Sequence, residues 1–164
     1  MLLRLADPTD ADELAAVGAL TVAAYLADGY LDGGEDGYAD HLRNAGDRAR
    51  QADLAVAVED GEVVGTVTYC RPGTPWAEVS SNGEAEFRML AVAPEARGRG
   101  VGAALAGWCV DRARADGCRA LVLSTLPVMH GAHRIYQRMG FVRTPERDWF
   151  PEPDIPLITY RLVL

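Results

Sequence analysis

Two apolar runs joined by a tight turn limit this chain more than any other feature. Leu54-Ala55-Val56-Ala57-Val58 leads through Glu59-Asp60-Gly61 into Val63-Val64-Gly65-Thr66-Val67-Thr68-Tyr69. Apolar and β-branched residues flank an Asp-Gly pair, and that pair accepts the left-handed backbone of a β-hairpin turn. A helix bundle is thereby excluded. With 164 residues, 49% of them hydrophobic and 24% charged, the chain is long enough to bury a core without a metal or disulfide staple. We therefore expect a single domain over 1–164.

Other elements follow from period and punctuation. Leu2–Ala6 reads as a strand, and Thr9 with Asp12 has the spacing of a capping box opening a helix along Leu14, Val17, Leu20/Thr21 and Ala24. Residues 27–40 have the composition of an acidic loop, and a second helix is expected from Tyr38 to about Arg50. Arg71–Gly83 is a loop rich in Pro and Gly, and Glu86–Val92 resumes as a strand. Val101, Ala104, Leu105, Trp108 and Cys109 mark one face of a helix running to about Ala115. Ala120–Leu123 is an apolar strand, and Ala132, Ile135, Tyr136 and Met139 mark a last helix closed by Gly140. Phe141-Val142 and Ile155–Leu164 supply the final strands across a Pro-rich loop, 145–156. The order βα(α)βββαβαββ implies a mixed α+β sheet, not a doubly wound parallel one.

The formal charge of −8 argues against a nucleic-acid binder, because phosphate affinity comes from clustered Lys and Arg. An amine-bearing partner is electrostatically easier. Cys70, Cys109 and Cys118 are odd in number and show no ligand spacing, so reduced core thiols are expected. His41, His130 and His133 lack metal spacing, and no metal is expected. No run of 18 apolar residues and no apolar leader occurs, so the expectation is a cytoplasmic protein without a membrane partner.

The chemistry concentrates at Arg97-Gly98-Arg99-Gly100-Val101-Gly102-Ala103, between a strand and a helix. Glycines there let the backbone approach a ligand, and free N–H groups with the helix dipole attract an anion such as a diphosphate. Gly98, Gly100 and Ala103 satisfy a dinucleotide fingerprint, yet four residues separate them from the strand and Ser124-Thr125 supplies no ribose-binding acid. A nucleotide P-loop would need Gly-Lys-Ser/Thr, which is absent. The bland alternative is a tight connection with solvated arginines.

Val92-Ala93-Pro94-Glu95-Ala96-Arg97-Gly98-Arg99-Gly100-Val101-Gly102 resembles the acetyl-CoA-binding motif of the GCN5-related N-acetyltransferases (GNAT), and Tyr136-Gln137-Arg138-Met139-Gly140-Phe141 resembles that family's Tyr and Gly-Phe signature. The resemblance covers nearly the whole chain. It implies a mixed α/β fold with a central, mostly antiparallel twisted sheet of about six or seven strands flanked by about four helices. It implies acetyl-CoA as cosubstrate, its pyrophosphate on the N–H groups of Gly98, Arg99, Gly100, Val101, Gly102 and Ala103 with Arg97 nearby. The pantetheine arm would pair with Leu90 and Val92, and the Ala91 N–H would polarise the thioester carbonyl. In such enzymes the strands equivalent to Glu86–Val92 and Ala120–Ser124 splay around the thioester. Many relatives carry an Asn seven residues before the tyrosine; here Met129 stands there.

Two side chains are candidates for proton transfer. An alkylamine of pKa about 10.4 must lose a proton before it attacks, and Glu86 matches a position where similar enzymes often carry the base. Its alternative is an ordinary exposed strand carboxylate, with Glu84 as the neighbouring base. Tyr136 matches the family's donor to the departing thiolate, against the alternative of a core tyrosine. The expected reaction is direct acetyl transfer to a primary amine of a small molecule. A peptide or protein acetyltransferase and a catalytically silent acyl-CoA sensor are the rivals. Acceptor choice is expected in Asp32, Glu35, Asp36, Glu146, Asp148, Glu152 and Asp154, with Trp76, Trp149 and Phe150 as apolar walls. A homodimer is favoured over a monomer.

Overall fold

The computed structural model describes residues 1–31 and 37–164; the acidic-loop candidates Asp32, Glu35 and Asp36 lie outside the described residues. Among the described residues, eight strands and five α-helices, against the six or seven and about four expected, give a mixed α/β fold whose pairings are mostly antiparallel, as the resemblance implied. The chain divides into two compact units, Met1–Tyr69 with Met89–Trp108, and Cys70–Arg88 with Cys109–Leu164.

In the first unit the strand order is β1 (Leu2–Leu5), β2 (Asp53–Glu59), β3 (Glu62–Cys70) and the C-terminal part of β4 (Glu84–Val92). Asp60 and Gly61, at φ 50° and 86°, make the hairpin turn between β2 and β3, the conformation expected of Asp-Gly. Helix α1 (Ala11–Ala27) is capped by Asp10, which accepts the Glu13 N–H at 3.0 Å. Thr9 is therefore not the cap: its N–H and hydroxyl both turn back to Asp7. The expected single helix over 38–50 is two, α2 (Gly37–Arg43) and α3 (Ala45–Gln51), because the Asn44 side chain accepts the Asp47 N–H and starts a new helix. Ala6, Val17, Ala45, Leu54 and Val56 form the core beneath them, with Leu14 and Val63 packed against it.

Gly65 explains how α4 (Val101–Ala115) is seated. A Cβ there would stand 2.8 Å from Val101 Cγ1 and 3.0 Å from Leu105 Cδ1, so only glycine lets the start of this helix lie against β3. Of the predicted helical face, Val101, Leu105 and Cys109 are buried and Ala104 and Trp108 half-buried.

In the second unit the order is β4, β5 (Ala120–Thr125), β8 (Ile155–Val163) and β6 (Val142–Arg143), with β7 (Trp149–Glu152) on β8. Strand β7 falls within the expected Pro-rich loop; its pairing with Leu157 and Ile155 is tertiary and leaves no periodic mark. β4 runs parallel to β5 over only Glu84–Glu86 and Ala120–Val122, whereas β5 pairs with β8 along its whole length. Helix α5 (His130–Arg138) ends in a Schellman turn: Phe141 N–H donates to Tyr136 O, Gly140 N–H donates to Gln137 O, and Gly140 has φ 90°. This turn folds Phe141 back onto Tyr136, at 5.9 Å between ring centroids, a contact worth about 1 kcal/mol. The Tyr and Gly-Phe signature is thus one helix terminus.

Candidate functional site

The glycine turn lies between the end of β4 and the N-terminus of α4. β4 ends at Val92, Ala93 N–H donates to Val64 O, and a single 3-10 turn, Pro94–Ala96, brings the chain to Arg97. Gly98 and Gly100 take φ 73° and 84°, a region costly for other residues, and a Cβ on either would meet nothing within 4 Å. The first bond of α4 runs from Ala104 N–H to Gly100 O, so the amides of Val101, Gly102 and Ala103 precede the helical ladder and are available to an anion. These residues fit the diphosphate of acetyl-CoA. Leu90 and Val92 are half-buried and Ala91 buried. Met89, at φ 52°, breaks the regular strand just before them, a conformation unusual for a bulky residue.

Neither arginine of the turn is solvated at random. Arg97 makes two bonds to the Asp28 carboxylate, at 2.7 and 3.1 Å, and a third to Ala24 O. Arg99 pairs with Glu59. Both cations are thus held by carboxylates of the first unit.

Glu86 is not an exposed strand carboxylate. It is fully buried, and its Oε2 accepts three successive backbone N–H groups, from Glu78, Val79 and Ser80, at 2.8, 2.9 and 3.1 Å. Its Oε1 is buried without a hydrogen-bond partner among the described residues. Burial raises its pKa and outweighs the lowering by these N–H groups and by Arg88. Glu84, two residues earlier, behaves oppositely. Burial would raise it, but Arg147, Arg161 and Ser81 outweigh that and hold it at about 2. With Arg161 Nε at 2.9 Å and Arg147 on both oxygens, Glu84 is a structural anion and a poor base.

Tyr136 projects from the last turn of α5 into a cluster of Phe87, Phe141 and Tyr160, with centroids 5.7 to 6.0 Å away. It is 4% exposed, and no hydrogen bond to its hydroxyl is found among the described residues. Burial, with Cys109 and Tyr160 nearby, pushes its pKa up, so the phenol is neutral at physiological pH and its O–H is a hydrogen-bond donor. Met129 sits at the N-cap of α5, where its sulfur accepts the Thr125 hydroxyl at 3.3 Å. His133 is buried, with Nε2 3.1 Å from Leu126 O; burial lowers its pKa and favours the neutral ring.

All three cysteines are buried, and burial with Glu86 nearby pushes the Cys70 thiol up to about 12, the opposite of nucleophile activation. Among the described residues no group of three His, Cys, Asp or Glu is placed to hold a metal ion, and no helix is long and apolar enough to cross a membrane. Of the expected acceptor contacts, Asp148 is a scaffold instead: it holds Arg143 and the Thr159 N–H. Trp76 is buried and Phe150 exposed. Sequence reasoning missed Arg147, Arg161 and the amides of residues 78–81, whose positions depend on loop closure and carry no local signal.

The acetyltransferase (GNAT) family matches residues 21–141. N-acetylaspartate synthetase of Danio rerio is 31% identical over 98 residues, covering 60% of this chain and 32% of that protein; the chain thus spans about a third of this curated relative. Among solved structures, yncA of Salmonella typhimurium, solved with its cofactor acetyl-CoA, superposes with a TM-score of 0.70 at 22% identity, covering 100% of this chain and 94% of that one. The ribosomal-protein-alanine N-acetyltransferase of Brucella melitensis superposes with a TM-score of 0.71 at 20% identity, covering 100% of both chains. The family match spans most of the chain, and the chain belongs to the acetyltransferase (GNAT) family.

Proposed function

We propose that this chain transfers acetyl from acetyl-CoA directly to the primary amine of a small molecule, with Glu86 accepting the amine's proton and Tyr136 supplying one to the departing thiolate. The observation that carries this reading is the division of labour within Glu86: Oε2 is saturated by three N–H groups, while Oε1 retains its lone pairs in a buried setting that shifts the carboxylate toward the basicity a proton acceptor needs.

The amine nitrogen attacks the thioester carbonyl. The nitrogen loses its proton to Oε1, directly or through water, and the C–S bond breaks as sulfur takes the Tyr136 proton. The amide product leaves, and the two side chains recover their states by exchange with solvent. No covalent enzyme intermediate is required, and the high pKa and burial of Cys70 support direct transfer. The name of the curated relative supports a small amino-acid acceptor; that of the Brucella neighbour supports a peptide N-terminus as the second reading.

The test is mass-spectrometric detection of products after incubation with acetyl-CoA and pooled polyamines, amino acids, aminoglycosides and short peptides. Acetylated small amines are the expected result. Acetylation of peptides alone overturns the small-molecule reading.

A further inference from the structure

Four consecutive amides, Glu78 to Ser81, donate to two carboxylates of one strand: three to Glu86 Oε2, as above, and the Ser81 N–H to Glu84 Oε2 at 3.0 Å. The segment belongs to no helix or strand, and an ordinary loop would leave such amides to water. Here they form a concave anion-binding nest that encloses side chains of the same unit. The carbonyls are held as well: Arg147 Nη2 donates to Val79 O, and Arg88 Nη1 donates to Trp76 O at 2.9 Å. Arg147 also binds both oxygens of Glu84, at 2.9 and 3.3 Å, so one guanidinium locks the second carboxylate and the loop backbone together.

Burying two carboxylates to fix one loop is expensive, and an apolar contact would hold a loop that had only to be closed. The arrangement makes sense where the loop's backbone path matters. Val79 and Ser80, with half-buried side chains, are bonded to the oxygen next to Oε1 of the same carboxylate. The backbone of these two residues is thereby fixed against the carboxylate that carries Oε1.

We propose that Glu84, Glu86 and Arg147 clamp residues 78–81 as the wall against which the acceptor amine binds, with Arg147 a positioning residue that sets acceptor affinity without taking part in proton transfer. This rests on the reading of Glu86 as the proton acceptor. The wall presents the Val79 and Ser80 side chains, and Arg147 acts on the acceptor only through the backbone it holds.

The test compares wild type with Arg147→Met and Arg147→Lys, using L-aspartate, spermidine and a short peptide with a free N-terminus as acceptor probes. In Arg147→Met, amide hydrogen exchange at residues 78–81 is expected to quicken about tenfold or more while the amides of β5 keep wild-type rates. The acceptor KM rises by about tenfold, with kcat within about threefold and acetyl-CoA affinity unchanged, and Arg147→Lys recovers part of the KM. Unchanged exchange overturns the clamp. Faster exchange with an unchanged acceptor KM overturns the wall and leaves a purely structural tie. Failure of the underlying reading looks different: wild type binds acetyl-CoA yet acetylates no probe, which removes the acceptor role whatever the exchange rates show.

Discussion

Glu84 and Glu86 stand two residues apart on one face of β4, both buried, and their acidities are displaced in opposite directions. The difference lies in their partners: guanidinium groups surround Glu84, whereas backbone N–H groups satisfy only one oxygen of Glu86.

For Glu84, a folded pKa of about 2 against an ordinary 4.5 means that its contribution is fully present above pH 4.5 and is lost as pH falls toward 2. The linkage amounts to about 3 kcal/mol at most. Urea unfolding between pH 7 and pH 2.5 should show this loss in wild type. Glu84→Gln should be less stable at pH 7 and have a flatter profile; a parallel profile would contradict the assignment.

For Glu86 the sign reverses. A raised pKa favours the protonated form in the folded protein, so its contribution is greatest below the ordinary carboxylate range and declines as pH rises through the folded pKa. Glu86→Gln is therefore expected to keep or raise the wild-type melting temperature at pH 7 while kcat falls by about a hundredfold. The acidic limb of the pH–rate profile should vanish with it. A variant that melts early and retains its limb would refute the base.

Tyr136→Phe keeps the ring contacts with Phe87 and Phe141 and removes only the hydroxyl. Because no protein group depends on that hydroxyl among the described residues, the melting temperature should stay within a few degrees. The expected kcat falls about tenfold or more, with acetyl-CoA affinity unchanged by calorimetry. An unaltered kcat would remove Tyr136 from the mechanism.

Gly100→Val places a branched side chain in a left-handed position that faces open space. The backbone strain should cost about 1–2 kcal/mol, but the larger effect is obstruction of the glycine turn, so acetyl-CoA binding should disappear in calorimetry while the fold survives. Gly107→Ala, inside α4 with nothing within 4 Å of the added methyl, is the control that should bind normally.

Local grammar made much of the fold legible. The Asp60-Gly61 turn, the apolar face of α4 and the Gly140 terminus each follow from a few neighbouring residues, and the structure has all three. Where two local signals compete, the reading slips: Asp10 takes the cap of α1 from Thr9, and Asn44 splits a helix that periodicity alone would join. Strand β7 exists because β8 pairs with it, which no stretch of its own sequence announces. The candidate site divides similarly. The glycine turn between a strand and a helix is legible from its own residues, but the burial of Glu86 and the guanidinium groups around Glu84 arise from residues 6 to 77 positions away in the chain, beyond any local pattern.

The most direct measurement is the transfer itself: acetyl-CoA carrying an isotopically labelled acetyl group is incubated with the protein and the amine panel, and the label is followed by mass spectrometry. The account predicts labelled acetyl on the nitrogen of a small primary amine, none on the protein, and loss of the product in Glu86→Gln. Label that stays on acetyl-CoA across the whole panel, despite measurable cofactor binding, would contradict it.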